Sequence, residues 1–231
     1  MGALGVILGT TALTSAWDGP AGDGSGDERG LPGGVVALQR HGRGAYRPPH
    51  LIDHASNLRL LAERGCDRVL ALSSVGSLRS DLGVGSLVCP GDFIALNVAG
   101  SAYDDARGHV VPGFDTEWRR TVIAAWQGSS GLPLRKDGIY WQARGPRFET
   151  PAEIRLIAPH ADVIGMTVAS ECVAATELDL AYAAVCVVDN VANGIGAEDL
   201  TFEEFERGRD ANAQTVASTL PGVLAQLAGS P

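Results

Sequence analysis

Short apolar runs alternate with helical patterns along nearly the whole chain, and this alternation limits the fold more than any other feature. Ala3–Leu8, Val35–Leu38, residues 67–72, Ala161–Ile164 and Tyr182–Val188 read as short strands, as does Gly138–Ala143. Two more short runs flank the Pro90-Gly91-Asp92 turn. Runs this short and apolar suit a sheet buried on both faces. Helices are predicted between them. One spans Leu51–Arg64, with Leu51, Ile52, Ala55, Leu58, Leu61 and Ala62 at helical spacing and Gly65 as its stop. Others cover Trp118–Trp126, 151–158, Ser170–Leu178 and Phe202 to about Leu227, the last bent or broken near Pro221. Thr150, Pro151 and Glu153 form an N-cap, N1 and capping-box series. Strand–helix alternation predicts an α/β layer fold, with residues 1–231 as one domain.

The 231 residues carry a net charge of −9. A non-specific nucleic-acid binder needs a basic surface, so that class is disfavoured. No apolar run is long enough to span a bilayer, and the N-terminus lacks the basic region of a signal peptide. Cys66, Cys89, Cys172 and Cys186 show neither CxxC pairs nor zinc spacing, which suits buried thiols in a reducing cytoplasm. His50 and His54 stand four apart, a metal-ligand spacing, but no acidic third ligand accompanies them, so no metal is expected. Residues 18–34 are rich in Gly, Asp and Pro and read as a surface loop.

Polar clusters follow the strands, where α/β sheets hold their ligands. Gly9-Thr10-Thr11 could present N–H and hydroxyl groups to an anion, or be a plain turn. Arg40-His41 followed by Gly42-Arg43-Gly44 could clamp an oxyanion with a planar fork and one further donor, or be a solvated basic turn. Ser73-Ser74-Val75-Gly76 repeats the strand-to-hydroxyl pattern. From Trp141 to Asn190 the chain supplies Gly145–Thr150, Gly165-Met166-Thr167, Glu171 and Val187–Asn190. Together these read as a nucleoside site, with a carboxylate and an amide for a base and a Met and a Thr for sugar and phosphate.

The ordered set Gly-Thr-Thr, Arg-His-Gly, Pro-Pro-His, Ser-Val-Gly-Ser, Gly-Pro-Arg-Phe-Glu-Thr, Gly-Met-Thr and Val-Asp-Asn resembles the purine nucleoside phosphorylase and methylthioadenosine phosphorylase family. The resemblance implies a mixed, partly barrelled sheet flanked by helices, a homotrimer, and phosphate-dependent cleavage of a purine nucleoside. Inorganic phosphate would be the co-substrate and no cofactor would be needed. It implies a phosphate site from Thr10, Arg40, His41, Ser73 and Thr167, with Met166 against the ribose. Phe148, Glu149 and Asn190 would hold the purine, beside the backbone of Ser74, Val75 and Gly76. Asn190, His41 and Arg40 would carry the catalysis. His109 and Pro112 fall in a loop that reaches a neighbouring subunit's site in the family. Glu171 would lie near the ribose hydroxyls, or be only a helix-face carboxylate; Glu149 could likewise be only a helix-start charge.

The same resemblance narrows the substrate. Adenine-directed members carry two aspartates where this chain has Asn190 and Ala192, so an acceptor for a 6-amino group is missing. Glu149 with Asn190 resembles the 6-oxopurine pattern. Phe202, flanked by Leu200 and Phe205, stands where inosine-directed members have a His for the 5′-hydroxyl. Its apolar surroundings suit a 5′-methylthio group, as in methylthioinosine phosphorylases; packing into the core is the other reading. Three positions depart from the pattern. The segment before Arg40 is short, Asp189 falls where an anion would repel phosphate, and Arg144 replaces a small or acidic residue.

Overall fold

The computed structural model describes residues 2–10, 33–42, 46–97, 100–130, 133–196 and 200–229. Thr11, Arg43, Gly44 and nearly all of the 18–34 loop lie outside the described residues. The strands are β1 (Ala3–Leu8), β2 (Val35–Gln39), β3 (Cys66–Ser77), β4 (Leu87–Val88), β5 (Asp92–Ala95), β6 (Leu134–Arg135), β7 (Ile139–Gln142), β8 (Val163–Gly165) and β9 (Ala181–Val191). The helices are α1 (His54–Glu63), α2 (Thr116–Ser130), α3 (Pro151–Ile157), α4 (Val168–Glu177) and α5 (Phe202–Gly229). The strands form one curled, half-barrel sheet ordered β5-β7-β8-β3-β9-β4-β6, with β1 joining β3 to β2. Most pairings are parallel, while β3–β8 and β4–β9 are antiparallel, so the expected mixed α/β sheet is observed.

The sheet separates two cores. One face packs Leu58 and Leu61 of α1 and Val168, Ala169 and Cys172 of α4 on the sheet. The other packs Trp118, Val122 and Trp126 of α2 and Leu220, Val223 and Leu224 of α5. β3 and β9 run side by side at the centre and are buried along nearly all their length.

Several boundaries differ from the sequence expectation for identifiable reasons. α1 starts at His54, not Leu51, because the Asp53 side chain accepts from the Ser56 N–H and caps it; Pro49–Leu51 form a separate 3-10 turn. Gly65 has φ +78°, the left-handed stop expected of it. β3 runs on through Ser73–Ser77, since β9 pairs with it to that point. β9 continues through Asp189 and Asn190, which therefore lie within the strand. The capping box of Thr150 and Glu153 is present. α5 is one continuous helix that contains Pro221. No helix among the described residues is long and apolar enough to cross a membrane.

Candidate active site

The ends of β1, β2, β3, β8 and β9 open into one cleft. Thr10, Arg40, His41, Ser73 and Thr167 line it. Phe148, Glu149, Asn190, Ser74, Val75 and Gly76 line the same cleft, as do Met166, Leu200 and Phe202. Segments far apart in sequence thus meet because β1, β2, β3 and β9 are parallel and end on the same side of the sheet, while β8, antiparallel to β3, reaches the site beside Gly76.

Arg40 follows β2 and is 3% exposed. Its Nε and Nη2 donate to the two carboxylate oxygens of Glu171 at 2.5 and 2.9 Å, and Nη1 donates to the Leu72 carbonyl at 2.7 Å. These contacts fix the plane of the guanidinium. Burial alone would lower its pKa, but the Glu171 carboxylate overrides this and holds it above the ordinary value. Gly9 makes the arrangement possible: a Cβ there would lie 2.4 Å from Arg40 Nη1 and 2.8 Å from the Leu72 carbonyl oxygen.

Glu171 lies on α4, is fully buried, and does not line the cleft. The expectation that it reaches the ribose hydroxyls is therefore corrected: it faces Arg40 beneath the site. Tyr182 of β9 donates its hydroxyl to Glu171 Oε2 at 2.7 Å. Burial would raise the Glu171 pKa, yet Arg40 holds it far below the ordinary carboxylate range. His54 Nδ1 lies 3.6 Å from Glu171 Oε1, beyond hydrogen-bond reach, and has no hydrogen-bond partner. His50 is exposed on the 3-10 turn, whereas His54 is buried at the start of α1. The metal-like spacing thus spans two elements and two environments.

His41 Nδ1 lies 2.9 Å from the Arg47 carbonyl oxygen. A carbonyl only accepts, so Nδ1 carries the hydrogen, and the neutral ring keeps Nε2 as an acceptor. Burial pushes its pKa down to about 4, and the Arg40 charge adds to the effect. The ring stacks on Tyr46 with centroids 5.0 Å apart. The expectation of His41 as one further donor is corrected accordingly: near neutral pH it offers a lone pair.

Thr167 stands at the N-cap of α4 without making a side-chain cap bond. The Tyr140 hydroxyl accepts from the Thr167 and Val168 N–H groups instead, at 3.2 and 3.3 Å. Gln142 grips the next turn, accepting from the Ser170 N–H at 3.0 Å and donating to Ser170 Oγ at 2.6 Å. Two residues of β7, on one face by strand alternation, therefore seat α4 and leave the Thr167 hydroxyl unspent on the helix.

Asn190 faces the cleft from β9, and its Nδ2 donates to the Val191 carbonyl at 3.1 Å. The amide lies so close to Gly76 that a Cβ there would sit 3.0 Å from Nδ2. Burial pushes the Glu149 pKa upward. Phe148 meets Phe205 with centroids 5.6 Å apart, and Phe205 meets Phe202 at 6.1 Å. Phe202 is 58% exposed, so the reading that packs it into the core does not hold. It stands at the cleft mouth.

One further expectation changes, and two more residues of the sequence pattern find their places. Asp189 is fully buried but does not line the cleft; Asn212 Nδ2 of α5 donates to its Oδ1 at 2.7 Å. Alternation along β9 turns it away from the side that Asn190 faces, so the predicted repulsion of phosphate does not arise. Arg144 is exposed and outside the cleft. His109 is exposed and does not line its own chain's cleft. It closes a 3-10 turn (Ala106–Gly108) whose approach is anchored to the end of α4: Ser101 Oγ and the Ala102 N–H donate to Glu177 at 2.8 and 2.5 Å. Tyr46 and Asn193 were not expected but line the cleft. Neither lies in one of the strand-end motifs, which is why pattern reading passes over them.

Residues 29–225 match the family described as the phosphorylase superfamily. A protein of Archaeoglobus fulgidus named "Probable 6-oxopurine nucleoside phosphorylase" is 40% identical over 180 residues, covering 78% of this chain and 74% of that one. The "6-oxopurine nucleoside phosphorylase" of Pyrococcus furiosus is 36% identical, covering 74% of this chain and 69% of that one. A protein of Methanothermobacter thermautotrophicus named "Probable S-methyl-5'-thioinosine phosphorylase" is 37% identical, covering 74% of this chain and 60% of that one. In fold, the chain is similar to the solved methylthioadenosine phosphorylase of Schistosoma mansoni, with TM-score 0.81, 21% identity, and 99% of this chain and 93% of that one covered. With a family match across most of its length and relatives at this identity, the chain belongs to the phosphorylase superfamily.

Proposed function

We propose that this protein is a purine nucleoside phosphorylase that uses inorganic phosphate to cleave the N-glycosidic bond of a 6-oxopurine nucleoside with an apolar 5′ group. The observation that carries the reading is that one cleft is lined by an arginine, a histidine and several hydroxyls together with an aromatic ring, a carboxylate and an amide. The names of the similar proteins from Archaeoglobus, Pyrococcus and Methanothermobacter agree with it.

A phosphate oxygen bonds to C1′ as the C1′–N9 bond breaks, and that electron pair passes to the purine. Rate then depends on holding an anion close to C1′ and stabilising the departing base. Arg40, with Thr10, Ser73 and Thr167, holds the phosphate. Because Glu171 already balances the Arg40 charge, the site is not a strong electrostatic trap. His41, neutral with an accepting Nε2, meets a protonated phosphate oxygen. Asn190 donates to the base as it gains charge. Glu149 accepts from N1–H of a 6-oxopurine. Met166 covers the sugar, and Leu200, Phe202 and Phe205 take the 5′ substituent.

Ala192, at the cleft wall and 4% exposed, offers no acceptor for a 6-amino group. Leaving a buried amine unpaired costs about 1–3 kcal/mol, or roughly a five- to 150-fold preference. The reading includes a homotrimer in a reducing cytoplasm. The exposed Leu51, Leu96 and Val111, and a His109 that lies outside its own cleft, support the assembly. Four buried cysteines fit the compartment.

The test is base release from 5′-methylthioinosine, inosine and 5′-methylthioadenosine, each with and without phosphate. Phosphate-dependent release led by methylthioinosine is expected. A lead for methylthioadenosine would overturn the base-pocket argument, and release without phosphate would make the enzyme a hydrolase.

A further inference from the structure

Asn193 lies two residues beyond β9, at the cleft wall and half-buried. Its Nδ2 donates to the Glu149 carbonyl at 2.9 Å, and its Oδ1 accepts from the Leu200 N–H at 2.8 Å. One planar amide therefore joins the backbone of the loop that carries Glu149 to the backbone that leads into α5. Only this orientation works. A flipped amide would set oxygen against the Glu149 carbonyl and NH₂ against the Leu200 N–H. The Phe148–Phe205 ring contact bridges the same two segments through side chains. The 193–196 turn also fits the start of α3, since a Cβ on Gly194 would lie 3.3 Å from Pro151.

We infer that Asn193 is a positioning residue that couples recognition of the base to recognition of the 5′ substituent. The inference rests on the functional reading above and deepens it. Glu149 reads the purine edge, and Leu200 begins the apolar 5′ wall. With both backbones held by one side chain, a shift in either wall is transmitted to the other. A nucleoside with the right base and the wrong 5′ group loses contact at both ends. Asparagine suits the position because it gives one donor and one acceptor at the required separation. Aspartate keeps the acceptor for Leu200 but faces the Glu149 carbonyl with oxygen, and alanine does neither.

The experiment measures kcat and KM for methylthioinosine, inosine and methylthioadenosine, and KM for phosphate, in the wild type, Asn193→Ala and Asn193→Asp. In Asn193→Ala the nucleoside KM rises about ten-fold, as loss of two hydrogen bonds predicts. The preference for the 5′-methylthio group and for the 6-oxo base shrinks with it, while kcat and the phosphate KM stay within about three-fold. Asn193→Asp keeps most of the 5′ preference and loses base discrimination, which separates the two halves of the staple. Equal losses in nucleoside and phosphate KM would show a general structural role and overturn the coupling. So would unchanged selectivity in either variant. If Asn193→Ala does not fold, Asn193→Asp decides alone. Wild-type turnover with unaltered variants sinks only this inference, whereas absence of wild-type turnover sinks the functional reading and this inference together.

Discussion

The His41 ring is stacked on Tyr46, bonded to the Arg47 carbonyl and mostly buried, so a proton on it is costly in the folded chain. Its pKa falls from 6.5 to about 4, chiefly by burial. Between those values the unfolded chain binds more protons than the folded one, so stability rises with pH across the window. The contribution is complete above about pH 6.5 and is lost as pH falls toward 4. A shift of this size corresponds to roughly 3 kcal/mol. The Glu149 carboxyl, pushed upward by burial, adds a slope of opposite sign. Urea unfolding in phosphate-free buffer at pH 4.5 and 7 therefore separates wild type from His41→Asn. The wild type loses more stability on acidification, by about 2–3 kcal/mol. Parallel losses in the two proteins would mean that His41 is not the group responsible.

α5 lies over the central strand β9, and its seat there is polar as well as apolar. Asn212 donates both Nδ2 hydrogens, to the Val188 carbonyl at 3.0 Å and to Asp189 Oδ1 at 2.7 Å. Asn212→Leu removes a partner from a fully buried carboxylate and one of two donors from the Val188 carbonyl, which keeps the Gly85 N–H. A loss of about 2–4 kcal/mol is expected. It would appear as a lower denaturant midpoint, with the nucleoside KM changed far less because Asp189 does not line the cleft. A large KM effect at unchanged stability would contradict this placement. The same strand shows what a sequence can and cannot disclose about elements. The apolar core of β9 and the residues at its end were legible, because apolar runs and terminal polar groups survive in one dimension. The side to which Asp189 turns was not, since that depends on where the strand stops. Between Val75 and Gly76 the β3–β9 register shifts, so one extra residue of β9 is accommodated there. The sequence ends this strand at Leu72, where the apolar run gives way to hydroxyls, yet pairing with β9 carries it through Ser77. Glu171 was visible as a helix carboxylate, but its partner Arg40 is 131 residues away in sequence. No local pattern reports such a pair. β6, at two residues, is too short to leave any pattern.

For the whole molecule, the open question is whether each cleft is complete within one chain. His109 is exposed and absent from its own cleft, and the segment before it is tied to the end of α4 by Glu177. In a closed ring of three, each chain presents such a segment to the next one, the heterologous contact that generates cyclic assemblies. The proposed trimer then requires Glu149 and His109 of a working site to come from different chains. Light scattering should give a mass three times the 24.0 kDa of one chain. A sharper test mixes two impaired variants, Glu149→Ala and His109→Ala, under conditions where subunits exchange. Sites whose own chain carries His109→Ala and whose neighbour carries Glu149→Ala hold both native side chains. With random mixing of equal amounts these are about a quarter of all sites. Methylthioinosine turnover should therefore rise above the mean of the separate variants, toward about a quarter of the wild-type rate, on the timescale of exchange. If His109 served its own chain's cleft, no mixed site would be intact and mixing would yield only the mean. If it served none, His109→Ala alone would turn over at the wild-type rate, and the surface around it would need no partner to explain the activity.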